Sequence, residues 1–388
     1  MHRETFCGRV SKLSAMSASD MYVNSQAQTW NYDYETDVGL AQKFHKRLPG
    51  YCPSPLVALD DVAKELGVKA VFVKDESSRL GLPAFKILGA SWGTFRALAD
   101  RTGLPLDASL EDAAKAAQRS RLVLLAATEG NHGRAVARMG KILGIQTQIY
   151  MSRYADHETV QKIESEGANV TVISGDYDEA VGKASAESKQ NPNHLLIQDN
   201  AFEGYEQIPA WIVEGYSTLL VESEQQLASQ GLRATLMITP IGVGSLGHAV
   251  VAHCKWGGRK IKVLTVEPET AACLNRNLQS QTWETIETSA TIMNGMNCGT
   301  VSPISWPVFL KGVDASVMIS DLECHKAIKY LQAHDVNAGP CGAASLAALR
   351  RAKALDPAAI GLDSNAVVVL LSTEGARGYT LPAGASDT

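Results

Sequence analysis

Short apolar strands alternate with glycine-closed helices through the middle of this chain, and few architectures accommodate that rhythm. Leu122 to Ala127, Thr147 to Met151 and Asn169 to Ile173 are too short for helices and largely apolar. Between and after them lie helical stretches, Gly133 to Leu143, Ala155 to Glu166 (closed by Gly167) and Tyr177 to Lys189. Strands joined by crossover helices run parallel and are covered on both faces. A break at Asn191-Pro-Asn-His194 is followed by a strand, Leu195 to Gln198, and a long helix from Pro209 towards Gln230. Further strands follow at Thr235 to Thr239, Lys262 to Val266 and Ala366 to Leu371. The pattern predicts an α/β fold of two open, mostly parallel, twisted sheets with helices on both faces. Residues 89–202 would form a smaller lobe, and 1–88 with 203–388 a larger one. Upstream, Leu56 to Gly67 reads as an amphipathic helix and Ala70 to Val73 as a strand. Residues 20–50, with Trp30, Tyr32 and Tyr34, read as an irregular arm, and Met1 to Ser19 as a disordered extension.

In open α/β sheets ligands sit beyond the carboxyl ends of the strands, so the strand-to-loop junctions locate the candidate site. The first carries Phe85-Lys86 from a polar loop to the start of a helical run, Ile87 to Ala99. The positive end of a helix dipole favours the neutral amine over the ammonium, and a neutral amine can form a Schiff base with a carbonyl cofactor. The bland alternative is an amphipathic lysine that keeps its charge in water.

The second junction is Thr128-Glu-Gly-Asn-His-Gly133, between a buried strand and a helix. Two glycines let the backbone turn with its N–H groups exposed, a nest suited to a carboxylate. Asn131 could donate to a phenolate-like oxygen. A plain β-to-α turn would need the glycines but not Thr128, Glu129, Asn131 and His132 together.

The third junction, Gly242-Val-Gly-Ser-Leu-Gly247, has the form of a phosphate cradle at a helix N-terminus. It also matches the dinucleotide fingerprint, with Glu267 about 20 residues on as the ribose partner. A nicotinamide-dependent oxidoreductase is therefore a second reading. It leaves Lys86 and the Asn131 loop without a task. The fourth junction, Ser372-Thr-Glu-Gly375, offers a hydroxyl at a strand end for a neutral pyridine nitrogen, or simply a helix cap.

Composition narrows the field. The 388 residues carry a formal net charge of −5, which gives no broad footprint for nucleic acid or an anionic membrane. No apolar run approaches the ~20 residues of a membrane span. Seven cysteines without a CxxC pair predict a reduced, cytoplasmic setting and no zinc site.

A lysine amine, an asparagine-bearing nest, a phosphate cradle and a hydroxyl for a ring nitrogen together suit pyridoxal 5′-phosphate (PLP). The order of these motifs resembles the fold-type II PLP enzymes, the tryptophan synthase β family. Phe85-Lys-x-x-Gly-Ala90 is similar to their lysine motif, Gly130-Asn-His-Gly133 to their substrate loop and Gly242 to Gly247 to their phosphate loop.

Within that group, residues from about 30 to 378 resemble the diaminopropionate ammonia-lyase family. The resemblance is carried by Val73-Lys-Asp-Glu-Ser, Gly81-Leu-x-Ala-Phe-Lys86, Ala127-Thr-x-Gly-Asn-His-Gly-Arg134 and Gln198-Asp-x-Ala-x-Glu-Gly-Tyr205. Val266-Glu-Pro with Cys273, Thr291-Ile-Met-x-Gly-x-x-Cys-Gly299 and Ser372-Thr-Glu-Gly375 extend it.

The resemblance implies a homodimer with PLP in the cleft between the lobes, converting 2,3-diaminopropionate to pyruvate and two ammonia. A serine/threonine dehydratase or a β-replacement enzyme on the same fold is the nearest alternative. The cofactor would be bound by Lys86, Phe85, Asn131, Gly242, Val243, Gly244, Ser245, Leu246, Gly247, Ser372 and Thr373. The substrate would meet Thr128, Glu129, Gly130, His132 and Asp199. Lys86 would take the α-proton from one face and Glu129 serve the other. Asp199 would keep the β-ammonium protonated as a leaving group. Two departures stand out, Glu129 where the family has aspartate and Cys341 where it usually has serine. Cys273 and Cys298, both inside family-like stretches, are expected to lie close together.

Overall fold

The computed structural model describes residues 20–33 and 38–385. The expectations for Met1 to Ser19 and for Tyr34 lie outside those residues. Strand β1 (Met21–Val23) is followed by α1 (Val38–His45), β2 (Leu56–Ala58), α2 (Asp60–Leu66) and β3 (Ala70–Asp75). Helices α3 (Lys86–Thr102) and α4 (Leu110–Arg119) come next. The alternating run is β4 (Val123–Ala127), α5 (Asn131–Leu143), β5 (Gln146–Met151), α6 (His157–Glu164), β6 (Asn169–Val172), α7 (Tyr177–Gln190) and β7 (His194–Leu196). Helix α8 (Gln207–Ala228), β8 (Leu236–Pro240), α9 (Ser245–Lys255), β9 (Lys262–Pro268) and α10 (Cys273–Ser280) follow. The chain closes with α11 (Trp306–Gly312), β10 (Ala315–Ile319), α12 (Asp321–Gln332), α13 (Pro340–Leu355) and β11 (Val367–Ser372).

These strands build two sheets, one ordered β1-β10-β9-β8-β11-β3-β2 and one ordered β6-β5-β4-β7. Every pairing is parallel except the two at the edges of the larger sheet, β1 on β10 and β2 on β3. Strands β8 and β11 are buried at every residue, as expected where helices cover both faces.

The helix expected from Leu56 begins only at Asp60. Leu56 to Ala58 instead form an antiparallel edge strand on β3. The first turn of α2 has Asp60 and Asp61, acids that suit the positive end of the helix. Gly67 closes it at φ 69°. The irregular arm also holds more structure than expected. Met21–Val23 extends the large sheet and α1 packs against α8.

Two features position the lysine. The first is a buried charge network under the loop between β3 and α3. Arg79 pairs with Glu76 at 2.6 Å and Glu222 at 2.7 Å, and Lys74 pairs with Glu222 at 2.9 Å. Ser54 and Gln226 fill the remaining positions. Two cations thus face two carboxylates, all hydrogen-bonded, which is the condition for burying charge without a large penalty. The second feature is the contact of α3 with α8. A Cβ at Gly89 would stand 2.5 Å from the Tyr216 ring, and one at Gly93 2.6 Å from Ile212. One at Gly215 would stand 2.5 Å from the Leu88 carbonyl. The glycine of the Phe85-to-Ala90 motif is therefore a packing residue that admits Tyr216.

Candidate active site

Lys86 is the first residue of α3, and its Nζ donates to Asp199 Oδ2 at 2.6 Å. The expectation of a neutral amine fails in this structure. Burial favours the neutral form, but the Asp199 carboxylate outweighs it and holds the Lys86 pKa above its ordinary value. A contact across the cluster thus overrides the local helix-end effect. For Asp199 burial acts upward, yet His132 and Lys86 beside it hold the carboxyl well below the usual range. The side chain of Asp199 is almost fully buried. Phe85 packs against Tyr216 with the rings tilted 57° and their centroids 4.8 Å apart. The Tyr216 hydroxyl is buried without a hydrogen-bond partner among the described residues. It lies within electrostatic reach of Lys86 and Asp199.

The substrate-loop residues lie between β4 and α5. Thr128 Oγ1 accepts the N–H groups of Gly130 at 2.9 Å and Gly133 at 3.0 Å, and the Thr128 N–H is taken by the Tyr150 carbonyl. Two amides expected to meet a carboxylate are therefore occupied within the protein, which leaves Glu129 and Asn131 as the candidate donors. His132 Nε2 donates to the Ile197 carbonyl at 2.8 Å, and its Nδ1 lies 3.8 Å from Asp199 Oδ2. Asn131 Nδ2 donates to Glu374 Oε2 at 3.3 Å. Glu129 is exposed. Burial of part of its carboxyl raises the pKa, opposed by hydrogen bonds from Ser152. Among the described residues the ion-pair partner of Lys86 is Asp199, and the Glu129 carboxylate acts on the Tyr177 phenol.

The Tyr177 phenol is held protonated by burial first, and by Asp199 and Glu129. Its hydroxyl accepts from Gln198 Nε2 at 2.8 Å. Neither Tyr177 nor Tyr216 stood out in the sequence, because a tyrosine at helical spacing looks like core. The one signal was indirect, the glycine opposite Tyr216.

The loop Gly242 to Gly247 joins β8 to α9. Gly244 has φ 100°, a conformation that favours glycine. A Cβ at Gly242 would stand 2.7 Å from the Gly295 carbonyl, and one at Gly244 2.8 Å from Phe309. Val243 accepts the Ser302 N–H, and Leu246 is buried. Ser245 Oγ donates to the Asp199 carbonyl at 2.8 Å, so this hydroxyl ties the loop to the Asp199 segment. No side chain caps α9, which leaves its first amides available for an anion. Glu267 is not placed for a ribose. Its buried carboxylate accepts the N–H groups of Leu274 at 2.8 Å and Asn275 at 2.7 Å, which removes the acidic partner that the dinucleotide alternative requires.

At the end of β11, Ser372 Oγ is buried without a hydrogen-bond partner among the described residues, and Thr373 is buried beside it. The segment lies against the lysine loop, with Phe85 N–H on the Thr373 carbonyl and Gly375 N–H on the Pro83 carbonyl. An orphaned hydroxyl, an uncapped helix start behind a glycine loop and a buried lysine fit PLP, whose ring nitrogen, phosphate and aldehyde require those three groups. The six described cysteines are free thiols. Burial first, then Glu267 and Cys298, raises the Cys273 thiol, so Cys298 lies within electrostatic reach of it.

Comparison with known proteins agrees with this geometry. The family described as pyridoxal-phosphate dependent enzyme matches residues 47–373. The diaminopropionate ammonia-lyase of Escherichia coli (strain K12) is 32% identical over 356 residues, 88% of this chain and 89% of that protein. That of Salmonella typhimurium (strain LT2) is 33% identical over 353 residues, covering 86% and 87%. A crystal structure of the Escherichia coli protein, in complex with an aminoacrylate-PLP azomethine reaction intermediate, superposes with a TM-score of 0.82 at 30% identity. That match covers 93% of this chain and 95% of the other.

Proposed function

The chain belongs to the pyridoxal-phosphate dependent enzymes, and we propose that it is an ammonia-lyase that converts 2,3-diaminopropionate, or a closely related β-substituted amino acid, to pyruvate and ammonia. The observation that carries this reading is the Asp199 carboxylate, buried and 2.6 Å from the Lys86 amine. A dehydratase acting on a hydroxyl leaving group has little use for a buried carboxylate there. A substrate with a second ammonium group does.

When bound, PLP supplies an electron sink for the bond broken at the α-carbon. Lys86 would hold it, the amides at the start of α9 with Gly242 to Gly247 would take its phosphate, and Ser372 would meet its ring nitrogen. Thr373 and Phe85 would line the ring, and Asn131 would donate to its ring oxygen. The substrate carboxylate would sit at the Thr128-to-His132 loop, on the Glu129 and Asn131 amides. With Asp199 engaged by the β-nitrogen of the substrate, the Lys86 amine would lose the contact that keeps it protonated. It would then collect the α-proton from its own face, and Glu129 would serve the opposite face. Asp199 would hold the β-nitrogen as ammonium, so that it departs as neutral ammonia without needing an outside acid. Gln198, bonded to the Ala127 N–H and to the Tyr177 hydroxyl, fixes the segment that carries Asp199 to its own small sheet.

The same proposal divides the chain into a large lobe, 1–88 with 203–388, and a smaller lobe, 89–202, that carries the substrate loop. It includes a homodimer, supported by the resemblance alone, and a cytoplasmic setting, supported by the free thiols. Among the described residues no helix is long and apolar enough to cross a membrane.

The test is product release across β-substituted amino acids. Diaminopropionate should give one pyruvate for two ammonia, faster than serine or threonine gives its keto acid. Faster turnover of serine would overturn the assignment in favour of a dehydratase.

A further inference from the structure

We propose that Glu374 is a positioning residue that sets the orientation of the Asn131 side-chain amide across the two sheets. This rests on the reading that Asn131 meets the cofactor ring. Glu374 follows the last strand of the large sheet, whereas Asn131 begins α5, which follows β4 of the small one. Their side chains meet at 3.3 Å, Asn131 Nδ2 donating to Glu374 Oε2. The other oxygen, Oε1, accepts the Cys341 N–H at 3.1 Å and faces Arg377 Nε at 3.2 Å. Arg377 in turn donates to the Ile292 carbonyl at 3.0 Å. Glu374 is buried. Its backbone is held on both sides, by the bridge to Ala84 and by the Gly339 N–H on its carbonyl.

The chemistry follows from what a carboxylate can do. Ionised, it only accepts hydrogen bonds, so it fixes the NH2 end of the Asn131 amide on its own side. An unconstrained asparagine can turn over and exchange donor for acceptor at little cost. The bland account of Glu374 is that it caps α13, whose N-cap residue Gly339 has no side chain to do so. The cap uses one oxygen. The second is directed to a residue of the other sheet.

The test is a double-mutant cycle read by cofactor affinity of the apoprotein, followed by fluorescence on titration with PLP. Asn131→Ala and Glu374→Gln should each weaken binding about ten-fold, the size expected for one charge-assisted hydrogen bond. Glutamine can still accept the Cys341 N–H, but its NH2 lets Asn131 turn over. The double variant should be no weaker than Asn131→Ala within about two-fold, because the two act through one contact. Losses that multiply would overturn the proposal, while leaving Asn131 as a cofactor ligand. No loss in Asn131→Ala would remove Asn131 from the cofactor site and the proposal with it.

A second measurement does not use the cofactor. Asn131→Asp should lower the melting temperature of the apoprotein by setting carboxylate against carboxylate, and adding Glu374→Gln should restore it. Should Glu374→Gln fail to fold, the size of the Asn131→Asp loss decides, since an unchanged melting temperature would mean the two groups do not meet.

Discussion

Lys86 and Asp199 stand 113 positions apart in the chain and 2.6 Å apart in the fold, amine on carboxylate. Each follows a strand of a different sheet, Lys86 at the start of α3 after the loop from β3 and Asp199 three residues past β7. The pair places the group that would hold the cofactor against the group that would hold the leaving ammonium.

Asp199→Asn should lower turnover of diaminopropionate by about a hundred-fold, the scale of a positioned acid–base group. The loss on serine should be much smaller, because a neutral hydroxyl gains little from a facing carboxylate. Steady-state rates on both substrates check this, and equal losses would make Asp199 structural. The Lys86 pKa should also fall in this variant, since burial then acts unopposed by Asp199.

Glu129→Asp should raise activity on D-diaminopropionate while leaving the L-isomer within a few-fold. The carboxylate of Glu129 is turned to Ser152, one methylene longer than the aspartate that the family resemblance implies at this position. Misplacement near 1 Å can cost about 10²-fold when a proton must be collected from a fixed direction. Rates on the two isomers measure it. Equal rates in the unmodified enzyme would mean that another group serves that face.

Glu222→Gln should destabilise the fold by about 3 kcal/mol or more, because it leaves Lys74 buried without its carboxylate partner and Arg79 with Glu76 alone. Burial raises the Glu222 pKa, but Arg79 and Lys74 outweigh it and hold it down at about 2. A depressed carboxyl contributes stability above its unfolded pKa, here about 4.5, which is lost as pH falls towards about 2. Urea melts between those values should show the wild type losing stability faster than Glu222→Gln.

Gly89→Ala should cost about 1–3 kcal/mol, the usual range for overpacking a filled core, because its Cβ would stand 2.5 Å from the Tyr216 ring. Adding Tyr216→Ala should relieve the contact with the ring, leaving only that with Ile212 Cγ2 at 2.7 Å, and make the pair less costly than the sum of the single changes. Additive losses in melting temperature would show that α3 and α8 do not meet as described.

The sequence by itself determined the two-sheet α/β architecture and marked the four loops of the candidate site. Strands such as Val367–Ser372 are apolar at almost every position because helices cover both faces, and glycines mark turns where nothing else fits. Sequence periodicity also placed Lys86 at a helix start. Only the tertiary structure decided the charge on that lysine, since the dominant group, Asp199, comes from a distant segment. Tertiary contacts likewise turned Leu56–Ala58 into an edge strand, where pairing with β3 satisfies backbone groups that a three-residue segment cannot satisfy within itself. They brought Tyr177, Tyr216 and Glu374 to the site from helices and a strand end that look locally like core and cap. A side chain's local pattern reports what its own element needs, and its partner across the fold sets its chemistry.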